Sequence, residues 1–290
     1  MIRLGKVLVI ATLPLLFGCG GKATVDVPLA TGSGGTGGQA GGGGAGANGG
    51  EGGGTSCTDV LLSFTETDLD HAVPAGVSYL HAKAWGGGGN QECFNDTGFG
   101  GVGGFTEAIF PVTPGTPLIV IVGGRKLIDP LSPEEQVTLG FPGQGAGGLS
   151  GLFEGPGPID DGDRDRALII AGGGGGAGAL AQNCSHGHPG NHPTMAGGQP
   201  TMLGQAGNIM VNSGGGGYEG GKGGVTDMDP GWGGTGFVQD SALASILESS
   251  ETGAFDPPAV TDPDYDGEAG MQERPGLVVL SYLCDGPPPL

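Results

Sequence analysis

The chain is poor in positive charge and in aromatic residues, and both scarcities limit its function. Its 290 residues include 10 Lys and Arg against 30 Asp and Glu, a formal net charge of −20 at pH 7. A nucleic-acid-binding protein needs a basic surface for the phosphate backbone, so nucleic acid is excluded as a partner. Aromatic residues make up only 6% of the chain, so a cluster of exposed ones on one face would indicate a binding surface.

The chain also lacks the residue patterns of common enzymes. It has no nucleophile elbow with Ser, His and Asp partners, and no carboxylate pair in an evident cleft. Residues 173–178 match G-x-G-x-x-G, but no helix opens there and no acidic residue follows at the expected distance. Residues 216–222 resemble a P-loop, but Gly223 stands where a Ser or Thr would hold Mg²⁺. We therefore predict no catalytic residues and no enzyme activity.

Glycine is the residue that the chain has most of, with 70 Gly beside 22 Pro. Aperiodic chains of this composition are usually disordered. Yet an apolar segment runs into glycine repeatedly, at 79–89, 118–124 and 167–178. The alternative to disorder is a set of extended, threefold polyglycine helices whose bare backbones hydrogen-bond to one another. We expect order for the runs between strands and disorder for the run that precedes them.

Residues 1–18 predict a lipoprotein signal peptide, with a basic start and an apolar stretch too short to span a bilayer. The stretch ends in Leu-Phe-Gly-Cys at 16–19, which resembles the bacterial lipobox, whose cysteine receives a diacylglycerol. Acyl chains on Cys19 would anchor the protein to a membrane. Because Gly20 is not the acidic residue associated with inner-membrane retention, we expect the outer membrane of the bacterial cell envelope. The alternative is an ordinary signal peptide with an incidental cysteine.

Composition divides the rest of the chain into three parts. Residues 19–56 begin with the lipidated Cys19 and continue as a disordered glycine-rich linker. Residues 57–284 carry apolar runs separated by turn signals and form one glycine-rich β domain. Residues 285–290 form a proline-rich tail.

The apolar runs predict an all-β fold. Several are apolar throughout, which suits the inner layer of a sandwich. Because no helices alternate with the strands, we predict an antiparallel sandwich or jelly roll with packed polyglycine helices. Residues 241–249 are the one predicted helix. The predicted strands are 60–65, 77–85, 105–110, 118–122, 136–139, 149–153, 167–171 and 277–283.

A set of segments spread over residues 57–284 carries a family resemblance. They are Val-Pro-Ala-Gly-Val at 73–77, Ala-Lys-Ala-Trp with four glycines at 82–89, residues 110–115 with 118–124, residues 167–178, 214–224 and 233–237, and Pro-Gly-Leu-Val-Val-Leu-Ser at 275–281. These segments resemble a family of bacterial glycine-rich surface lipoproteins. More loosely, the chain is similar to the extracellular glycine-rich domain of anaplastic lymphoma kinase and leukocyte tyrosine kinase. That resemblance implies a jelly roll that carries bundled polyglycine helices and binds protein ligands. The chain has no kinase domain, so receptor signalling is not implied.

The cysteine count predicts two disulfides. With Cys19 lipidated, four cysteines remain in an oxidising compartment, and they allow three pairings. Cys57 precedes the first predicted strand and Cys284 ends the last one, and terminal strands of a sandwich often lie side by side. We therefore predict the bridges Cys57–Cys284 and Cys93–Cys184.

Two groups of residues have the side chains of metal ligands. Residues 262–273 match the calcium-loop pattern D-x-D-x-D-G-x₅-E. The candidate calcium ligands are Asp262, Asp264, Asp266 and Glu273. No helix precedes this loop, so a solvated acidic turn is the favoured interpretation and calcium binding is the alternative. The second group, with ligand types of zinc or copper, consists of Cys184, His186, His188 and His192.

A flexible polar loop is the favoured interpretation of that second group, because the segment is rich in glycine and proline. We therefore assign no cofactor, with Ca²⁺ as an open alternative.

These features together predict a surface-anchored lipoprotein with a non-catalytic binding or structural module for adhesion or the envelope. Loss of Arg3 and Lys6 with the signal leaves 8 basic against 30 acidic residues, a net charge near −22 that permits cationic partners. The expected partners are the membrane, through Cys19, and a protein or glycan at the cell surface. The alternatives are a secreted or surface hydrolase with an unrecognised site and a passive structural protein of the envelope.

Overall fold

In the part of the chain that the structure describes, the regular structure consists of ten β-strands and a 3-10 turn at Asp163–Arg166. A computed structural model describes residues 60–64, 69–90, 98–124, 140–178, 185–192, 200–208, 212–284, 286–287 and 290. Within these residues the strands are β1 Val60–Phe64, β2 Leu69–Ala72, β3 Tyr79–Trp85, β4 Phe105–Pro111, β5 Pro117–Ile121, β6 Ser150–Glu154, β7 Ala167–Ala171, β8 Phe237–Val238, β9 Ala244–Glu248 and β10 Leu277–Leu283.

The strands form two antiparallel sheets of five. The first has the order β1-β10-β3-β4-β9 and the second β2-β5-β6-β7-β8. Buried side chains of both sheets share one central cluster, so the sheets pack face to face. The predicted all-β antiparallel sandwich is confirmed at this level.

Buried side chains cover both faces of each sheet. Leu80 and Val120 belong to the central cluster between the sheets. Ile121 belongs to a second cluster, which covers the outer face of the second sheet, and Trp85 to a third, which covers the outer face of the first. Since neighbouring residues of a strand point to opposite faces, β5 needs apolar residues at every position. This explains the continuous apolar runs in the sequence.

Seven of the eight predicted strands correspond to strands of the structure, and the eighth, 136–139, lies outside the described residues. The short strands β2 and β8 carry no apolar run and were not predicted. The predicted helix at 241–249 is wrong, because β9 occupies this segment and pairs with β4. A helix of nine residues is marginal on its own, whereas β9 gains ladder hydrogen bonds and packs Ile246 against the third cluster.

Glycine-rich stretches leave the ends of the strands and bond to one another. Gly89 N–H donates to Gly101 O, Gly101 N–H to Gly175 O, and Gly174 N–H to Gly87 O, all at 2.8–2.9 Å. A Cβ added at Gly174 would overlap the carbonyl group of Gly101, so no other residue fits there without displacement. We call the described stretches 86–89, 100–104, 143–148, 172–178, 213–217 and 231–234 the glycine segments.

The predicted signal peptide at 1–18 and linker at 19–56 lie outside the described residues, as do Cys19, Cys57, Cys93 and Cys184. Among the residues that the structure does describe, no helix has the length and apolar character to cross a membrane.

Candidate functional site

The loop 185–192 is built on the glycine segments. Gly187 N–H donates to Phe99 O at 2.8 Å, and a Cβ at Gly187 would overlap the backbone. This close approach buries Gly187 and leaves His186 and His188, on either side of it, half-buried at the surface. The histidines are therefore positioned by the backbone between them.

Asn191 fixes the end of this loop. It adopts a left-handed conformation with φ of 57°, which asparagine tolerates better than most residues. Its Oδ1 accepts the N–H of Gly172 at 2.8 Å, and its Nδ2 donates to Phe105 O at 2.7 Å. One side chain thus joins the loop to the end of β7 and the start of β4.

His188 packs on Trp232. The two ring centroids are 3.8 Å apart with an interplanar angle of 13°, and His188 Nδ1 lies 2.9 Å from Thr252 Oγ1. Burial lowers the pKa of His188, and the nearby His192 lowers it further. The imidazole of His188 is therefore uncharged at neutral pH and presents an aromatic surface.

Phe99 makes a second ring contact beside the first. It stacks on His186 with centroids 5.6 Å apart and meets Phe255 edge-on at 4.9 Å. Phe255 is 60% exposed. Gly253, with φ of 83°, brings the loop 251–255 against the ring of His186.

The loop 251–255 joins the two ring clusters into one surface, since it contacts His188 through Thr252 and Phe99 through Phe255. We call this surface the aromatic–imidazole patch. Exposed carboxylates at Glu251 and Asp256 flank it. Ring faces beside carboxylates suit the stacking of sugar rings or of cationic side chains. The patch consists of Phe99, His186, His188, His192, Trp232 and Phe255.

Two histidines of the candidate zinc or copper group, His186 and His188, stack on aromatic rings. His186 faces Phe99 and His188 faces Trp232, so the structure does not direct these rings to a common point. Cys184 lies outside the described residues. Within the described part of the chain, no three His, Cys, Asp or Glu side chains are grouped so that they could hold a metal ion.

The acidic loop that matches the calcium-loop pattern contacts an ammonium group. Lys83 Nζ donates to both carboxylate oxygens of Asp262, at 2.8 and 2.9 Å, and to Asp264 at 2.8 Å. Burial lowers the pKa of Lys83, but the hydrogen bonds and negative charges of the two aspartates outweigh it, and the net pKa is raised. Lys83 therefore carries the positive charge that a bound cation would supply.

The other two candidate calcium ligands have different backbone roles. Asp266 Oδ1 accepts the N–H groups of Glu268 and Ala269, at 2.8 and 2.7 Å, and so closes its own turn. Glu273 has a left-handed φ of 61°, and its N–H donates to Gly89 O. Of the four candidate calcium ligands, the structure brings Asp262 and Asp264 together around the amine of Lys83. It does not group all four carboxylates around one point.

Cys284 is disulfide-bonded. The other cysteines lie outside the described residues, so the pairings Cys57–Cys284 and Cys93–Cys184 stay predictions. Strand β1, which starts three residues after Cys57, pairs with β10, which ends one residue before Cys284. The pairing places the start of β1 beside the end of β10, as a bridge between Cys57 and Cys284 requires.

The glycine pattern at 173–178 has its N–H groups engaged within the protein. Gly173 donates to Gly216 O and Gly175 to His188 O, at 2.8 and 2.9 Å. A dinucleotide site needs free N–H groups for the pyrophosphate, so this arrangement gives the pattern a structural role.

No family model matches this chain, and no curated protein is significantly similar to it. The residue-level resemblance to glycine-rich surface proteins therefore stays an expectation.

Sequence reasoning selected the histidines of the loop but missed their aromatic partners Phe99, Trp232 and Phe255. The available signal was aromatic residues beside glycine in an aromatic-poor chain, at Gly98-Phe-Gly100 and Gly231-Trp-Gly233. Ring contacts across such distances in sequence follow no periodic pattern, so the patch itself was not predictable.

Proposed function

We propose that the protein is a surface-anchored bacterial lipoprotein whose glycine-rich domain binds a partner through the aromatic–imidazole patch. The observation that carries this proposal is the group of half-buried rings that adjoins the exposed ring of Phe255 in a chain with few aromatic residues. Apolar surface left exposed beside polar residues is typical of binding surfaces. The lipobox at Cys19 supplies the anchor and the outer membrane is the expected location.

The proposal includes a finer description of the fold, a jelly roll that carries packed threefold polyglycine helices. Its support is the exchange of backbone hydrogen bonds among the glycine segments and the lack of room for a Cβ between them. Such a bundle would hold the patch on a rigid base, because Gly187, Gly231 and Gly233 pack within it. Rigid presentation lowers the entropy that binding costs.

The expected partner is a protein or a glycan at the cell surface. Aromatic side chains contribute strongly to protein interfaces, and the faces of their rings also stack on sugar rings. The acidic residues Glu251 and Asp256 favour a neutral or cationic partner over an anionic one.

Substitution of Phe255 tests the patch. We expect Phe255→Ser to weaken binding of the mature protein to intact cells, matrix proteins or immobilised glycans by about 2 kcal/mol, as for an interface hot spot. Leu69→Ser is the matched control, because Leu69 is also exposed, at 41%, and lies on β2 of the second sheet, outside the patch. Melting temperatures of both variants check that they fold.

Equal binding by the two variants would contradict the role of the patch. Binding to no cell, matrix protein or glycan would favour the passive envelope protein. Hydrolysis of a screened substrate would favour the surface hydrolase.

A further inference from the structure

Lys83 lies in the middle of β3 in an almost closed environment, with its side chain 9% exposed. Its Nζ lies 2.9 and 2.8 Å from the two oxygens of Asp262, a residue 179 positions further along the chain. Asp264 Oδ2 lies 2.8 Å from the same nitrogen. A primary amine and a carboxyl group are thus held together between a central strand and the loop before β10.

We propose that this contact is the site of an intramolecular amide bond between Lys83 and Asp262. In this reaction Nζ bonds to Cγ of Asp262, one C–O bond of the carboxyl group breaks, and one water molecule leaves. The ammonium and carboxylate charges cancel in the neutral amide. Atoms and electrons balance without any oxidant, reductant or other co-reactant.

The position of Nζ favours this bond. Because its distances to both oxygens of Asp262 are nearly equal, the nitrogen faces the carboxyl carbon between them. Attack on Cγ requires a rotation about the Cβ–Cγ bond that turns the face of the carboxyl group towards the amine. Well-oriented groups held at about 3–3.5 Å react with effective molarities of ~10⁵–10⁸ M, so holding the amine against the carboxyl group would accelerate amide formation.

Asp262 is the acceptor and Asp264 handles the protons. Asp262 meets the amine with both oxygens and is the less exposed of the two, 14% against 25%. The N–H of Asp264 donates to Asp262 Oδ1 at 2.8 Å and so holds the acceptor in place. The Asp264 carboxylate takes two protons in turn from the nitrogen and passes both to the leaving oxygen as general acid, so that this oxygen departs as water and one hydrogen stays on the amide nitrogen.

The surroundings restrict water, and the carboxylate opposite Lys83 on β4 is engaged by another residue. Trp85 and Tyr265 pack with ring centroids 5.7 Å apart beside the pair, and Trp85 Nε1 donates to Pro258 O at 3.2 Å. Glu107, opposite Lys83 on β4, lies 2.5 Å from His81 Nε2 and is engaged there. Water would otherwise compete with the amine and hydrolyse the product.

Mass spectrometry of the purified full-length protein tests the amide. After disulfide reduction, the wild-type chain is expected to be lighter by one water molecule than the Lys83→Arg variant, once the substitution itself is allowed for. Formation of a succinimide at Asp266-Gly267 would also remove one water molecule, but it would lower the mass of both chains equally. Tryptic digestion is expected to give no cleavage after Lys83 and a branched peptide that contains Lys83 and Asp262.

A wild-type chain with its full sequence mass and normal cleavage after Lys83 overturns the proposal, whether or not any variant folds. Asp264→Asn tests the proton transfer, because it keeps Asp262 and removes the charged shuttle. We expect the branched peptide to form at least about tenfold more slowly after refolding of this variant. An unchanged rate would overturn the role of Asp264.

Discussion

Gly174 illustrates how single glycines support the fold. A Cβ at this position would overlap the carbonyl group of Gly101, whose atoms cannot move without shifting a whole segment. We expect Gly174→Ala to lower the free energy of unfolding by about 1–3 kcal/mol or more, as overpacking does. Chemical denaturation measures this change.

Gly162→Ala is the matched control for that substitution. Gly162 has an ordinary φ of −83°, and an added Cβ there would meet nothing within 4 Å. We expect its effect on stability to stay within about 0.5 kcal/mol. Equal effects of the two substitutions would contradict the packing argument.

Two histidines give the protein a pH dependence. Burial lowers the pKa of His71, and burial together with His192 lowers that of His188, both from the ordinary value of 6.5. Below pH 6.5 the unfolded chain therefore binds protons that the folded chain resists, and stability falls as the pH falls. We expect the melting temperature to drop between about pH 7 and pH 5.

His188→Gln tests the assignment of this effect. The variant lacks one of the two histidines whose pKa is lowered, so its melting temperature should depend less steeply on pH than that of the wild type. A slope identical to the wild-type slope would show that His188 makes no contribution.

At the scale of the elements, the sequence predicted those strands whose apolar runs bury both faces. β7 and β10 were predicted with correct bounds, because glycine or proline-glycine marks an end of each. β9 was missed, since its apolar residues also fit a helical period and only the neighbouring β4 decides the outcome. β8 has two residues, too few for any pattern.

The pairing of β1 with β10 bears on the disulfides. We expect non-reducing peptide mapping to find Cys284 joined to Cys57. Because this bridge closes most of the domain into one loop, Cys284→Ser should cost about 2–5 kcal/mol of stability. Detection of a Cys57–Cys93 peptide would contradict this arrangement.

At the scale of the whole molecule, the lipid anchor is the first property to test. If Cys19 carries acyl chains, Cys19→Ser should move the protein from the membrane fraction to the soluble fraction. The change removes two or three chains, each of which contributes about 0.8 kcal/mol per buried CH₂ group. A variant that stays in the membrane fraction with the same processing would contradict the lipoprotein prediction.

The site was less predictable than the fold. The sequence pattern at 262–273 offers four acidic residues as candidate calcium ligands. In the structure, two of them contact Lys83, which lies on a strand distant in sequence. The glycine and proline content of the loop 185–192 predicts flexibility, whereas hydrogen bonds of Asn191 with Gly172 and of Gly187 with Phe99 hold it against the domain. Both outcomes depend on contacts between distant parts of the chain, which local patterns do not encode.

The glycine segments have a consequence for how stability changes with temperature. They bury peptide groups against peptide groups, and their unfolding exposes polar surface with little apolar surface. Apolar exposure raises the heat capacity and polar exposure lowers it, so the change per residue should fall below the usual range of about 12–15 cal/mol/K. Calorimetry measures this quantity. A small heat-capacity change flattens the stability curve, and the folded domain would then keep nearly the same stability over a wide range of growth temperatures.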